Sequence, residues 1–188
     1  MMKDYAIYYS YKNIGDVIVI IFSDEATTKV EQKGRVAIIY HEDRIIGYNI
    51  FNVKDIIKIK SEGMIYLPSP TLIDIINSLL INEGCEPLEV KESSGYFVAM
   101  VVDVTNSQVT ISLKEKAFNL PNKNYQLNVG DKVVIAIKGT RLPNGSLIND
   151  EGHICTYKDL GIKIEEDTIL VLDKDEEINK DFFSLEEK

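Results

Sequence analysis

Histidine and cysteine are nearly missing from this sequence, whose 188 residues hold 2 of each. With only His41 and His153 to draw on, far apart in the chain, a histidine-based acid–base or zinc site lacks its ligands. His41 reads as a solvated turn residue and His153 as a satisfied structural one. Cys85 and Cys155 form neither a CxxC pair nor a disulfide framework, which fits a reducing cytoplasm. No apolar run approaches the roughly 20 residues that a membrane-spanning helix needs. The start, Met1 to Tyr5, shows no basic head followed by an apolar stretch, so neither a signal peptide nor a membrane partner is expected. Glycine-rich phosphate loops, a G-x-S-x-G elbow and an HExxH pair are also absent. The acidic groups Asp24-Glu25, Glu42-Asp43 and Glu165-Glu166-Asp167 fall in polar connectors, where charge is ordinarily solvated. The chain is therefore predicted to be cytoplasmic and not an enzyme, with no cofactor and no metal.

What is present is a folding sequence, 45% hydrophobic, with a formal net charge of -9 that is unevenly spread. By blocks, residues 1–95 carry net -4, residues 96–164 net +2 and residues 165–188 net -7. Attraction to a phosphate backbone needs a local positive surface, which the middle block alone can supply. The acidic end would repel nucleic acid or fold over something basic.

Periodicity places strands at Asp4 to Tyr9 and at the apolar run Val17 to Phe22, and a hairpin at Val36 to Tyr40 and Ile45 to Phe51 around the loop His41 to Arg44. Ser69 as N-cap, Pro70 at the first helical position and Gly84 as C-terminal cap bracket an amphipathic helix over Pro70 to Glu83. Loop composition around Cys85-Glu86-Pro87 and Lys91 to Gly95 marks a domain boundary. Beyond it strands return at Tyr96 to Val104, Gln108 to Leu113, Lys132 to Lys138, Ser146 to Ile148 and Thr168 to Leu172, with a short helix near Lys158 to Leu160, a spacing that suggests a small barrel. The expected fold class is α+β: a sheet-plus-helix domain at 1–90, a barrel at 95–172 and an acidic tail at 173–188.

Several segments resemble a known family. Asn128 to Ala136, Leu142-Pro143-Asn144-Gly145, Gly152-His153-Ile154-Cys155-Thr156 and Leu160-Gly161-Ile162 look like the tRNA-binding OB-fold module of stand-alone bacterial tRNA-binding proteins and of the phenylalanyl-tRNA synthetase beta chain. In that family a G-x-K-V-x-V-A strand precedes a P-x-G turn, an S-x-G-M-[IL]-C-S stretch and an E-L-G-[IL] turn. Ile169 to Asp175 is similar to the acidic strand that often closes the module, and Gly47 to Asn52 to the extra N-terminal domain of some Gram-positive members. The resemblance implies an OB-fold barrel that binds tRNA or another structured RNA without catalysis, and a homodimer. An OB barrel tracks a strand with a basic groove and stacks bases on aromatic rings. The expected RNA-binding residues are Lys114, Lys116, Lys123, Tyr125, Lys138, Arg141, Tyr157 and Lys158, with Phe118 as a weaker stacking candidate.

The sequence also departs from that pattern. Thr105 to Pro121 replaces the family's histidine-containing segment, the arginine of R-G-x-x-S is missing, and Asp150 stands at the serine position and His153 at the methionine. A carboxylate facing phosphate repels where a hydroxyl would donate. The rival reading is a protein-interaction or dimerisation module that has kept the barrel and lost RNA binding.

Overall fold

Val-Ile-Val-Ile-Ile has one stable use in a folded chain, a strand covered on both sides, and at Val17–Ile21 it lies inside a six-stranded antiparallel sheet. The computed structural model describes residues 4–163 and 165–184. They divide into two compact units, Met1–Glu92 and Ser93–Lys188. Strand accounts for 38% and helix for 9%, so the protein is mostly β.

The first unit runs β1 (Ala6–Tyr9), the single turn α1 (Tyr11–Ile14), β2 (Val17–Ile21), β3 (Lys29–Lys33), β4 (Val36–His41), β5 (Arg44–Phe51), β6 (Gly63–Ile65) and α2 (Pro70–Asn82). Sheet order is β3-β4-β5-β2-β1-β6. The expected four-residue loop at His41 to Arg44 is tighter, because His41 and Arg44 pair across the hairpin end and leave Glu42 (φ 53) and Asp43 as the turn. His41 is half-buried, its Nδ1 2.7 Å from the Ala26 carbonyl, so it anchors the preceding loop instead of standing in solvent. Ser69 Oγ accepts from the Leu72 amide at 3.2 Å, Pro70 opens α2 and Gly84 (φ 72) follows its end. Leu72, Ile73, Ile76 and Leu80 lie on one helical face and share a core with Ile7, Ile18, Ile38, Tyr48 and Ile50. Each such aliphatic side chain contributes roughly 1.5–3 kcal/mol on full burial. Gly47 sits mid-strand because a Cβ there would stand 2.5 Å from the Ile20 carbonyl oxygen of the neighbouring strand.

The second unit contains β7 (Tyr96–Val104), β8 (Gln108–Leu113), β9 (Lys116–Pro121), β10 (Lys132–Ile137), β11 (Gly152–Ile154) and β12 (Val171–Leu172). The order is β11-β10-β7-β8-β9, with β12 pairing the start of β10 where β11 pairs its end. A bulge between Val101 and Asp103 bends β7. The sheet curls until its two edges approach: a Cβ on Gly152 of β11 would meet Leu120 of β9 at 3.8 Å. Ala99, Val101, Val109, Ile111, Leu120, Val133, Ile135 and Ile154 fill the interior of this barrel-like sheet. Two expectations are corrected here. Ser146 to Ile148 forms no strand but the return of a tight loop, with Arg141 bridged to Leu147, and the segment near Lys158 to Leu160 is a set of turns, not a helix.

The acidic segment after β12 is built into the unit. One flank of Tyr96 to Val98 is taken by β10, but β8 reaches the other flank only from Met100 onward. Residues 179–182 occupy the vacancy: Asn179 N donates to Val98 O at 2.7 Å, Val98 N to Lys180 O at 2.9 Å and Phe182 N to Tyr96 O at 2.9 Å. The Asp181 carboxylate accepts from Ser94 N and Ser94 Oγ, both at 2.6 Å, and from Phe183 N at 2.9 Å. Phe183 meets the Tyr96 ring edge-on, centroids 5.3 Å apart. The tail also lies on basic groups, with Lys132 Nζ donating to the Glu176 carbonyl and Lys114 paired to Glu177 at 3.0 Å. Residues 185–188 of the expected acidic tail lie outside the described residues.

Candidate nucleic-acid interface

Side-chain alternation along β9 brings chemistry to one mouth of the curled sheet. Lys116, Phe118 and Leu120 share a face. Leu120 enters the core, Phe118 packs partly on it, and Lys116 is thereby held at the rim. The cleft there has a volume of about 570 Å³. Its floor is apolar, from Phe97, Leu113, Phe118 and Ile137, and its rim carries Lys114, Lys116 and Lys138 against Glu115 and Glu151. Lys114 holds the β8–β9 turn in the left-handed region (φ 55), and Lys138 follows directly on β10.

Of the three lysines, only Lys114 has an ion-pair partner among the described residues, Glu177. The hydrogen bond and charge of Lys114 hold the Glu177 carboxyl below its ordinary range. Both side chains are more than half exposed, at 54% and 71%, so the pair is screened by water and open to exchange for another anion. Asn179 is where the tail borders the cleft. The described part of the anionic segment flanks the hollow and leaves its floor open.

A second depression, about 190 Å³, follows the line where β9 and β11 meet. Lys123, Tyr125, Asn149, Asp150 and His153 line it together with Leu120, Pro121 and Leu147. The Tyr125 hydroxyl is pushed above its ordinary pKa, first by burial and then by the charge of Asp159.

The eight expected contact residues are thus divided. Lys114, Lys116 and Lys138 converge at the mouth, whereas Lys123 and Tyr125 belong to the seam groove. Arg141 is corrected outright: it is 6% exposed, its Nη1 donates to Gly145 O at 2.9 Å, and its own carbonyl accepts from Tyr96 Oη at 2.6 Å. It clamps the loop that the sequence suggested it would project from. Tyr157 and Lys158 line neither depression, and the Tyr157 ring is covered by Lys163 Nζ, 4.8 Å from its centroid. Phe97, Leu113 and Ile137 had no sequence signal beyond strand hydrophobicity, which cannot tell a core position from one at a barrel mouth.

Next to the seam lies a closed polar network. Asp159 Oδ2 accepts from Thr156 N and Thr156 Oγ1, each at 2.9 Å, and lies 2.9 Å from His153 Nε2. Burial by itself would raise the Asp159 carboxyl, but hydrogen bonds from His153 and Thr156 outweigh it and hold the group below its ordinary pKa. Cys155, two residues from His153, is fully buried, which drives its thiol well above the ordinary range; the charge of Asp159 adds to this. It packs as a small hydrophobe and offers no thiolate. Among the described residues no group of three or more His, Cys, Asp or Glu is placed to hold a metal ion, and no helix is long and apolar enough to cross a membrane.

Residues 23–90, which run from the end of β2 past α2, match the family described as Domain of unknown function (DUF4479). No curated protein is similar enough to the chain to count as a match.

Proposed function

We propose that the second unit is an OB-type barrel of the tRNA-binding kind, and that it binds tRNA or another structured RNA in the cytoplasm, without catalysis, through the mouth cleft. One observation carries this reading: three lysines ring a floor containing two aromatic rings, in one hollow of about 570 Å³. Phosphates of an unpaired stretch supply the anions for the rim, and a splayed base covers the Phe97 and Phe118 rings, the two terms by which single-stranded nucleic acid is held without sequence readout. Glu115 and Glu151 on the same rim lower the local potential, so binding is expected to be modest and salt-sensitive.

Fluorescence anisotropy with labelled bulk tRNA tests it. Three phosphate contacts to an unpaired strand predict a slope of log K against log salt of about -2. K116E/K138E, at two exposed positions, should flatten that slope and abolish retention at moderate salt. Absence of binding by the unaltered protein, or binding indifferent to salt, overturns the reading. Tight self-association by light scattering with no RNA retained would favour the dimerisation module instead.

A further inference from the structure

The seam groove is left unused by the mouth cleft, and its most conspicuous group is the carboxylate of Asp150, which no phosphate-contacting surface would choose. Asp150 is exposed, and no hydrogen bond or ion pair to it is found among the described residues. The same groove is lined by Lys123, exposed and likewise without an ion-pair partner among the described residues, and by Tyr125 together with the apolar Leu120, Pro121, Leu147 and Ile148. Lys123 and Asp150 offset each other and the lining His153 is engaged by Asp159, so the groove has no surplus cation to offer, which disfavours phosphate and suits an uncharged ring with polar edges. Its volume of about 190 Å³ suits a single nucleobase and is too small for a nucleotide pair.

The donor and acceptor pattern narrows the choice further. An ionised carboxylate only accepts, through two oxygens, and an ammonium only donates. Guanine alone among the four RNA bases presents two adjacent N–H donors, N1–H and N2–H, beside an acceptor, O6, on its pairing edge. Cytosine and adenine each offer a carboxylate one amino group, and uracil one imino proton. We infer that the seam groove is a base-reading pocket for one unpaired guanine, with Asp150 accepting from N1–H and N2–H, Lys123 donating to O6, and Tyr125 lying against the base. This deepens the RNA reading above and rests on it, since the groove and the mouth cleft both border β9 and the β11 segment: Lys116, Phe118 and Glu151 lie on the one, Leu120, Pro121 and Gly152 on the other. The departure at Asp150 then replaces a backbone contact by a base contact.

The experiment uses the full chain and labelled uridine-rich RNA heptamers that differ only at the central nucleotide, guanosine, inosine, adenosine or cytidine. The guanosine heptamer should bind about ten-fold tighter than the inosine one, which lacks only the N2 amino group. D150N should erase that ratio with the salt slope unchanged, whereas K116E/K138E, read at low salt where binding persists, should weaken every heptamer alike and preserve the ratio. Equal affinity for guanosine and inosine, or a preference that survives D150N, overturns the guanine pocket while RNA binding at the mouth stands. Loss of all heptamer and tRNA binding in the unaltered protein overturns both.

Discussion

Asp181→Ala probes how the tail is fastened. The carboxylate takes three hydrogen bonds, two of them from Ser94, a residue 5% exposed. Removing it leaves the Ser94 amide proton buried without an acceptor, at about 1–3 kcal/mol, and removes charge-assisted bonds to Ser94 Oγ and the Phe183 amide. Ser94 Oγ keeps its bond from Tyr96 N at 3.1 Å, and the half-buried Phe183 amide can be rehydrated, so these losses are partial. The expected cost is about 2–4 kcal/mol, mostly from the single stranded donor. In a unit of roughly 100 residues that lowers the thermal midpoint by about 10–25 °C. Urea unfolding gives the stability change, and amide exchange localises it: Val98 N, which donates to Lys180 O, should lose protection with the tail, while Val101 N, bonded to Asp131 O on the opposite flank, should keep more of it. Ser94→Ala leaves the Ser94 amide its acceptor but takes Oγ away from the buried Tyr96 amide and from Asp181, and should cost about 1–3 kcal/mol. A loss below about 0.5 kcal/mol for D181A, or unchanged exchange at Val98, would show that the tail does not depend on this carboxylate.

Two more outcomes follow from the geometry. Because Asp159 is held below its ordinary pKa of 3.8, its stabilising contribution is complete above that value and is lost as pH falls through the lower folded value. The stability gap between the unaltered protein and D159N, read by urea midpoints, should be widest above pH 3.8 and close in stronger acid; a gap independent of pH refutes the network. Gly95 has φ +83, and a Cβ there would stand 2.2 Å from Thr140 Oγ1. Gly95→Ala should therefore cost at least about 2 kcal/mol, with part recovered in G95A/T140A, and a neutral G95A would contradict the backbone placement.

What the sequence made legible were local features with a physical punctuation mark. Helix α2 is framed by Ser69, Pro70 and Gly84, whose roles need no tertiary contact. The β2 run and the alternation in β7, β8 and β10 read as strands because one or both faces are covered. Strand β3, Lys-Val-Glu-Gln-Lys, escapes such reading because it is the outer edge of its sheet, with Lys29, Glu31 and Lys33 on one face and a Val30 that is 56% exposed beside Gln32 on the other. The tail escaped for a different reason: its acidic average hides Asp181, Phe182 and Phe183, whose partners at Ser94 and Tyr96 lie more than 80 positions away. Arg141 shows the same limit at the candidate site. A cation beside Gly139 and Thr140 suggests a phosphate contact, and only the long-range bond from Tyr96 to its carbonyl reveals a buried clamp. Convergence of Lys114, Lys116 and Lys138 depends on how far the sheet curls, which composition does not encode.

The bond between Ser94 and Asp181 joins the first residues of the second unit to the last segment of it that is described. A module whose two ends are sewn together at one spot can be cut and rejoined elsewhere with little penalty. Linking its ends through a few flexible residues and opening the Thr105-Asn106-Ser107 turn should yield a circular permutant with the same interior, and a surface loop of an unrelated host could receive it without being pried apart.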